Sequence, residues 1–278
     1  MSPIKALVAR RPVLTFYVLV FAISWGGILV LVGPNRIPGT TEDVERLFPF
    51  ALMMQFAGPS IAGILMTGLV SGWAGLRELR SRLLRWRVGA RWYAAALLPG
   101  PLIVAVVLFA LSLASPVFVP GIVTTDNRTT LLLFGLGWGL IGGGFLEELG
   151  WTGFAVPRLR LRSGALITGL VVGLLWGAWH FLIAFWSVGA LAAGLPLGAF
   201  VAGFLAFYVI ALPAYRVLMV WLYDRTASLF LAMLMHAVLS ASTLVFQPES
   251  TSGYLTWNLV LAAALWVVVA AVGVGNRR

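Results

Sequence analysis

The chain has no cysteine, only two histidines and only nine acidic residues among 278. Without cysteine there is no disulfide staple, no Cys-ligated zinc and no thiol nucleophile. Charge is scarce too: 10% of the residues are charged, where soluble domains carry about 25%. Aspartate and glutamate are outnumbered by 19 lysines and arginines, for a formal net charge of +10. What is abundant is apolar: 61% of the chain, with a mean hydropathy of +0.99. That balance excludes an ordinary soluble domain. The positive charge is then better read as a topology signal than as a nucleic-acid surface.

Apolar runs bounded by charged or Gly/Pro-rich breaks fall at Val13 to Val32, Phe48 to Val70, Trp92 to Ala114, Leu131 to Val156, Gly164 to Trp186, Leu197 to Leu222, Ser228 to Phe246 and Tyr254 to Val274. Each is long enough to cross about 30 Å of hydrocarbon at roughly 1.5 Å per residue. Helices are the only open segments that satisfy their own backbone there. The expected fold is therefore all-α, a polytopic membrane protein of about eight transmembrane helices with an intramembrane site. We expect one membrane domain over 1–278. The first run follows Lys5, Arg10 and Arg11 as in a signal peptide, but its length and the lack of a cleavage site read as a retained anchor.

Charge placement supports the count of eight. With the N-terminus inside, 16 of the 19 basic residues fall on inner segments, and only Arg36, Arg46 and Arg128 fall outside. The inner segments then carry +14, the outer loops −2 and the membrane interior −2. This predicts a multi-pass protein of the plasma (inner) membrane with both termini cytoplasmic. Gly72 to Arg91, where arginines alternate with Leu76, Leu79, Leu83, Leu84 and Trp86, reads as an amphipathic helix on the inner leaflet, a topology anchor or a lipid site.

Removing the loop acids leaves Glu147 and Glu148 as the only carboxylates within apolar runs. Both histidines, His180 and His236, also lie within runs. Each such group costs roughly 3 kcal/mol to bury in a bilayer, so four of them imply a shared polar cavity rather than four separate burials. Helical spacing agrees. Gly139, Gly143 and Gly144 precede Glu147 by one or two turns; Gly169, Gly173 and Gly177 lead to His180; Ala232, His236, Ser240 and Thr243 follow one another at i+4, i+4 and i+3. Tight packing of small-residue faces is the plain alternative for the glycines alone.

A carboxylate, two imidazoles and a hydroxyl suit water activation and oxyanion stabilisation. HExxH, the helical zinc signature, is absent. Ser187 and Ser240 lie near the histidines in sequence but outside any nucleophile motif. A proton-sharing pair of aspartates is excluded because no Asp lies within a run. Hydrolysis by a Glu-activated or metal-activated water remains. No cofactor is needed for the first, and a divalent metal such as zinc on Glu147, His180 and His236 is left open.

The motifs Glu147-Glu148-Leu149-Gly150-Trp151-Thr152-Gly153, Trp176-Gly-Ala-Trp-His180 and His236-Ala-Val-Leu-Ser240 resemble those of the CPBP family, which groups CAAX prenyl endopeptidases with bacterial immunity-type membrane proteases. The family pattern is EExxxR, FxxxH and HxxxN on an eight-helix membrane fold. The resemblance covers a motif-bearing core over 131–246. It implies an intramembrane endopeptidase working near the cytoplasmic side. Glu147 with His180 would deprotonate the attacking water, and His236, helped by Ser240, would hold the oxyanion. Three positions depart from the pattern. Thr152 stands for the arginine, leaving Glu148 without its i+4 cation; Trp176 stands for Phe, and Ser240 for Asn. The partners implied are a peptide or membrane-protein substrate and the lipid bilayer, with no nucleic acid. The competing readings are a proton- or ion-coupled transporter and a catalytically silent immunity or binding protein. Counted from the inner ends, Glu147 is about nine residues deep and His180 about sixteen, a mismatch of ~10 Å. One helix must therefore be tilted, broken or displaced.

Overall fold

The computed structural model describes residues 10–191, 196–248 and 253–275. Lys5, Glu249, Arg277 and Arg278, on which part of the charge count rests, lie outside the described residues. Eight helices are long and apolar enough to cross a membrane: α1 Pro12–Val32, α2 Thr41–Leu83, α3 Ala90–Ala114, α4 Arg128–Arg160, α5 Ala165–Val188, α6 Leu197–Thr226, α7 Leu229–Phe246 and α8 Tyr254–Gly275. The eight apolar runs thus become eight helices. Among the described residues there is no β-strand, only one isolated bridge between Pro120 and Pro248.

The core sits where α4, α5, α6 and α7 meet, and small residues make that approach close. A Cβ on Gly173 of α5 would lie 2.5 Å from the Pro213 Cα of α6. At Gly144 of α4 it would lie 2.8 Å from the Met233 carbonyl oxygen of α7. Without a hydrophobic driving force between helices in lipid, such close backbone contact is what holds them together.

Because α4 runs on to Arg160 and α5 begins at Ala165, Glu147 and His180 lie at similar distances from the turn that joins the two helices, and both helices are also broken at the site. In α4 the backbone winds as a π-helix over Gly139–Glu147 and again over Trp151–Ala155. Insertions of this kind shift the side chains that follow and recur at functional sites. In α5 the helix stops at Trp179 and restarts at Phe181, with a turn at His180. The Trp179 carbonyl, released from the helical ladder, instead accepts from Trp25 Nε1 of α1 at 2.9 Å and Gln55 Nε2 of α2 at 3.0 Å. Backbone polarity at membrane depth must be satisfied by protein, and here side chains of two neighbouring helices do so.

Two expectations about charge need correction. Arg216, counted with the inner segments, is wholly buried inside α6, so the interior holds a cation beside its two acids. The segment after Gly72, expected on the leaflet surface, is partly docked on the bundle. Gly72 breaks α2 with φ 58°. Beyond it Leu79 is buried, and Arg82 donates to Tyr223 Oη at 2.8 Å and to the Gly153 carbonyl at 3.0 Å. Arg77, Arg80, Arg85, Arg87 and Arg91 remain exposed.

Candidate active site

Glu148 is the most fully held polar group of the bundle. One carboxylate oxygen accepts from His236 Nδ1 at 2.7 Å, and the other is ion-paired with Arg216 Nη1 at 2.8 Å and bonded by the Thr152 hydroxyl. All three partners are buried. A cation one helix away therefore replaces the one missing at i+4: Arg216 Nη1 lies 3.5 Å from Thr152 Oγ1, in the space a side chain at 152 would otherwise reach. The Arg216 Nε and Nη2 atoms have no hydrogen-bond partner among the described residues. The guanidinium carbon lies 4.2 Å from the Trp176 ring centroid, so an aromatic face supplies part of the missing stabilisation.

The bond to Glu148 has a consequence for His236. A carboxylate paired with Arg216 accepts only, so Nδ1 carries the proton and Nε2 is the atom left for chemistry. A Cβ on Gly143 would sit 2.8 Å from that Nε2 and 2.7 Å from Ser240 Oγ. Glycine at 143 thus leaves open the space into which both groups point, and that space belongs to a cavity of about 640 Å³ lined by Glu147, His180, His236 and Ser240.

Glu147 faces the same cavity in a different way. Two indoles donate to its Oε2: Trp176 Nε1 at 2.6 Å and Trp151 Nε1 at 3.2 Å. Its Oε1 takes part in no hydrogen bond among the described residues. His180 does not bond to Glu147. Its Nδ1 lies 2.9 Å from the Trp176 carbonyl, which can only accept, so His180 also carries its proton on Nδ1 and offers Nε2 as an acceptor when neutral. The His180 ring packs against Tyr208 and Trp179, with centroids 4.8 and 4.7 Å away.

The structure therefore brings Glu147, Glu148, His180, His236 and Ser240 to one place, with Glu148 behind the others and out of the cavity. Ser187 lines the cavity but donates to the Ile183 carbonyl of its own helix at 2.8 Å. Among the described residues no group of three His, Cys, Asp or Glu side chains is placed to hold a metal ion, so Glu147, His180 and His236 are not assembled as ligands.

Three residues, Trp176, Trp151 and Arg216, play parts that their positions in the sequence did not assign them. Trp176 does more than stand for the phenylalanine of the pattern: its indole N–H holds Glu147, its face lies under Arg216, its ring meets His236 at 4.7 Å, and its carbonyl orients His180. A phenylalanine could not supply the N–H. Trp151, at i+4 from Glu147, had a readable spacing. Arg216 had a signal as well, since it falls inside the apolar run Leu197 to Leu222.

Residues 128–242 match the family described as Type II CAAX prenyl endopeptidase Rce1-like. The match spans all the residues just described and bears out the resemblance of the three motifs to the CAAX-protease group. At family level it supports a membrane-embedded endopeptidase. No curated protein matches the chain.

Proposed function

We propose, with that kinship as premise, that the protein is an intramembrane endopeptidase that hydrolyses a peptide bond with a water activated by Glu147. The observation that carries this reading is the arrangement of groups around one cavity. A carboxylate with a free Oε1 and an imidazole Nε2 beside a hydroxyl line one cavity, each fixed from behind by hydrogen bonds on its other atoms.

In the proposed reaction a water sits between Glu147 Oε1 and His180 Nε2. Glu147 takes its proton as the oxygen adds to the scissile carbonyl carbon. The charge that develops on the carbonyl oxygen falls to His236 Nε2 and Ser240 Oγ. To donate there, His236 must carry protons on both nitrogens, and the Glu148 carboxylate behind Nδ1 stabilises that imidazolium, as a buried carboxylate does for a triad histidine. Collapse of the tetrahedral intermediate breaks the C–N bond, and the proton held by Glu147 passes to the leaving amine. Glu148, Arg216 and Trp176 are positioning residues in this scheme.

Comparing new protein N-termini in cells that express the wild type or Glu147→Gln tests the reading. Termini that appear with the wild type and vanish with the variant, at equal amounts of inserted protein, are expected. Identical sets of termini would overturn it and return the immunity or transport alternatives to first place.

A further inference from the structure

The proposed reaction uses one hydroxyl of the cavity and leaves another without a task. Ser187 and Thr243 donate back to the Ile183 and Leu239 carbonyls of their own helices, at 2.8 and 3.0 Å, a common arrangement for serine and threonine in helices. Ser240 Oγ and Tyr208 Oη, in two further lining residues, donate to nothing among the described residues. Ser240 serves the oxyanion. Gln55 Oε1 and Asn258 Nδ2 also lack partners, but protein encloses those atoms, whereas Tyr208 keeps part of its surface open. A tyrosine hydroxyl inside a bundle ordinarily finds a partner, so one left free beside the reacting groups is available to a ligand.

The fold brings that hydroxyl to the His180 side of the site. Like α4, α6 contains a π-helical stretch, over Leu205–Ala211, and such stretches recur at functional sites. Tyr208 lies within it and is seated closely. A Cβ on Gly177, one turn before His180, would collide with the Tyr208 carbonyl oxygen, and Trp266 Nε1 of α8 donates to the Ile210 carbonyl at 3.1 Å. The Tyr208 ring stacks on Phe204 with centroids 4.5 Å apart and lies against the His180 imidazole at 4.8 Å, tilted by 25° and 35°. Two neighbours so close and so nearly parallel occupy opposite faces, which leaves the rim with the hydroxyl for the cavity. Across the site the rings run His236, Trp176, His180, Tyr208, with successive centroids 4.7, 5.9 and 4.8 Å apart. Tyr208 thus ends the row at the water-activating side, away from His236.

We infer that Tyr208 is a substrate-binding residue of this site, its hydroxyl donating to a backbone carbonyl of the substrate next to the scissile bond. The surroundings select that acceptor. Phe200, Phe204 and Phe207 share this part of the lining, and a charged group placed among them would be desolvated without a partner. The neutral acceptor that every peptide carries beside its scissile bond is a backbone carbonyl. The nearby acceptors of the protein itself, Glu147 Oε1 and His180 Nε2, are taken by the water in the proposed reaction. With His236 and Ser240 on the scissile carbonyl and Tyr208 on a neighbouring one, the peptide is held at two points on either side of the attacking water.

The inference rests on the protease reading, and Tyr208→Phe tests it, because the change removes only a hydroxyl that bonds to nothing in the protein. New N-termini are compared in cells that express the wild type, Glu147→Gln or Tyr208→Phe, and a synthetic peptide spanning one wild-type-dependent terminus is then given to each purified protein in nanodiscs. Tyr208→Phe is expected to melt as the wild type does, to keep its kcat and to raise KM roughly 30-fold, since the substrate carbonyl is left buried without a donor. An unchanged KM, a loss confined to kcat, which would put the hydroxyl on the water instead, or a loss accompanied by a lower melting temperature would overturn the inference. Termini that do not depend on Glu147 overturn the protease reading and this contact with it. Termini that depend on Glu147, with a peptide cleaved equally well by Tyr208→Phe, overturn the contact alone.

Discussion

Around Glu148, three side chains from three helices close on one carboxylate and leave no cavity, whereas around Glu147, the next residue, two indoles hold a single oxygen and the other side is open. Both acids are buried within the same apolar bundle. The difference lies in what meets them. Glu148 turns toward α6 and α7, which supply a cation and an imidazole. Glu147 turns toward α5, which at that level presents an aromatic N–H and then breaks. A buried charge that is fully paired is structural and sets the position of its partners; one that is held on one oxygen and left free on the other is available for proton transfer. Two adjacent glutamates thus divide into a scaffold and a reactive group.

The comparison is broken most forcefully at Arg216. Arg216→Leu leaves Glu148 as a buried unpaired carboxylate, a change that costs about 3–5 kcal/mol. We expect a large drop in melting temperature in detergent and poor accumulation in the membrane. Adding Thr152→Arg, which places a cation at i+4 on the Glu148 face, should restore both stability and cleavage. A double variant as unstable as Arg216→Leu would show that the pair matters for reasons other than the charge on Glu148.

At Glu147 the effect should be on the reaction alone. Glu147→Gln should lower cleavage by roughly 10³-fold, within the usual range for a general base, and leave the melting temperature close to that of the wild type. If it melts like Arg216→Leu, the two glutamates are not functionally distinct.

Gly143→Ala probes the space beside His236 and Ser240. Its methyl would lie within 3 Å of both His236 Nε2 and Ser240 Oγ, so we expect about 10²-fold slower turnover, comparable to losing an oxyanion donor. The Glu148–Arg216 pair and its contribution to stability should be untouched. Retained activity would move the oxyanion site elsewhere. The smallest effect is expected from Trp176→Phe, which restores the residue of the family pattern and removes one hydrogen bond to Glu147. A loss of about tenfold in kcat with little change in KM would fit a charge-assisted bond that only positions the base. A change confined to KM would make Trp176 a substrate contact.

Much of this was legible from residue types and spacing. Long apolar runs can be nothing but spanning helices, because the bilayer offers backbone groups no other partner. Ionisable residues are so costly there that the few present stand out, which singled out Glu147, Glu148, His180 and His236, while Ser240 followed from its i+4 spacing to His236; the five do converge. The breaks in α4 and α5 were half legible. The depth mismatch left room for one, but its place depends on Ser60, Trp25 and Gln55 of other helices taking up the released carbonyls.

Arg216 shows where such reading stops. Its charge was assigned to a loop because a lone arginine at that depth is too costly to expect unless a carboxylate faces it, and which residue faces which is set by helix packing rather than by position along one helix. Hydrophobicity and charge alone determined the number of helices and singled out the few ionisable groups within them, because those are costs each segment bears by itself in a membrane. Only the packed bundle decided that Glu148 is neutralised from α6 and that Glu147 keeps a free oxygen, because those depend on contacts between residues far apart in the chain.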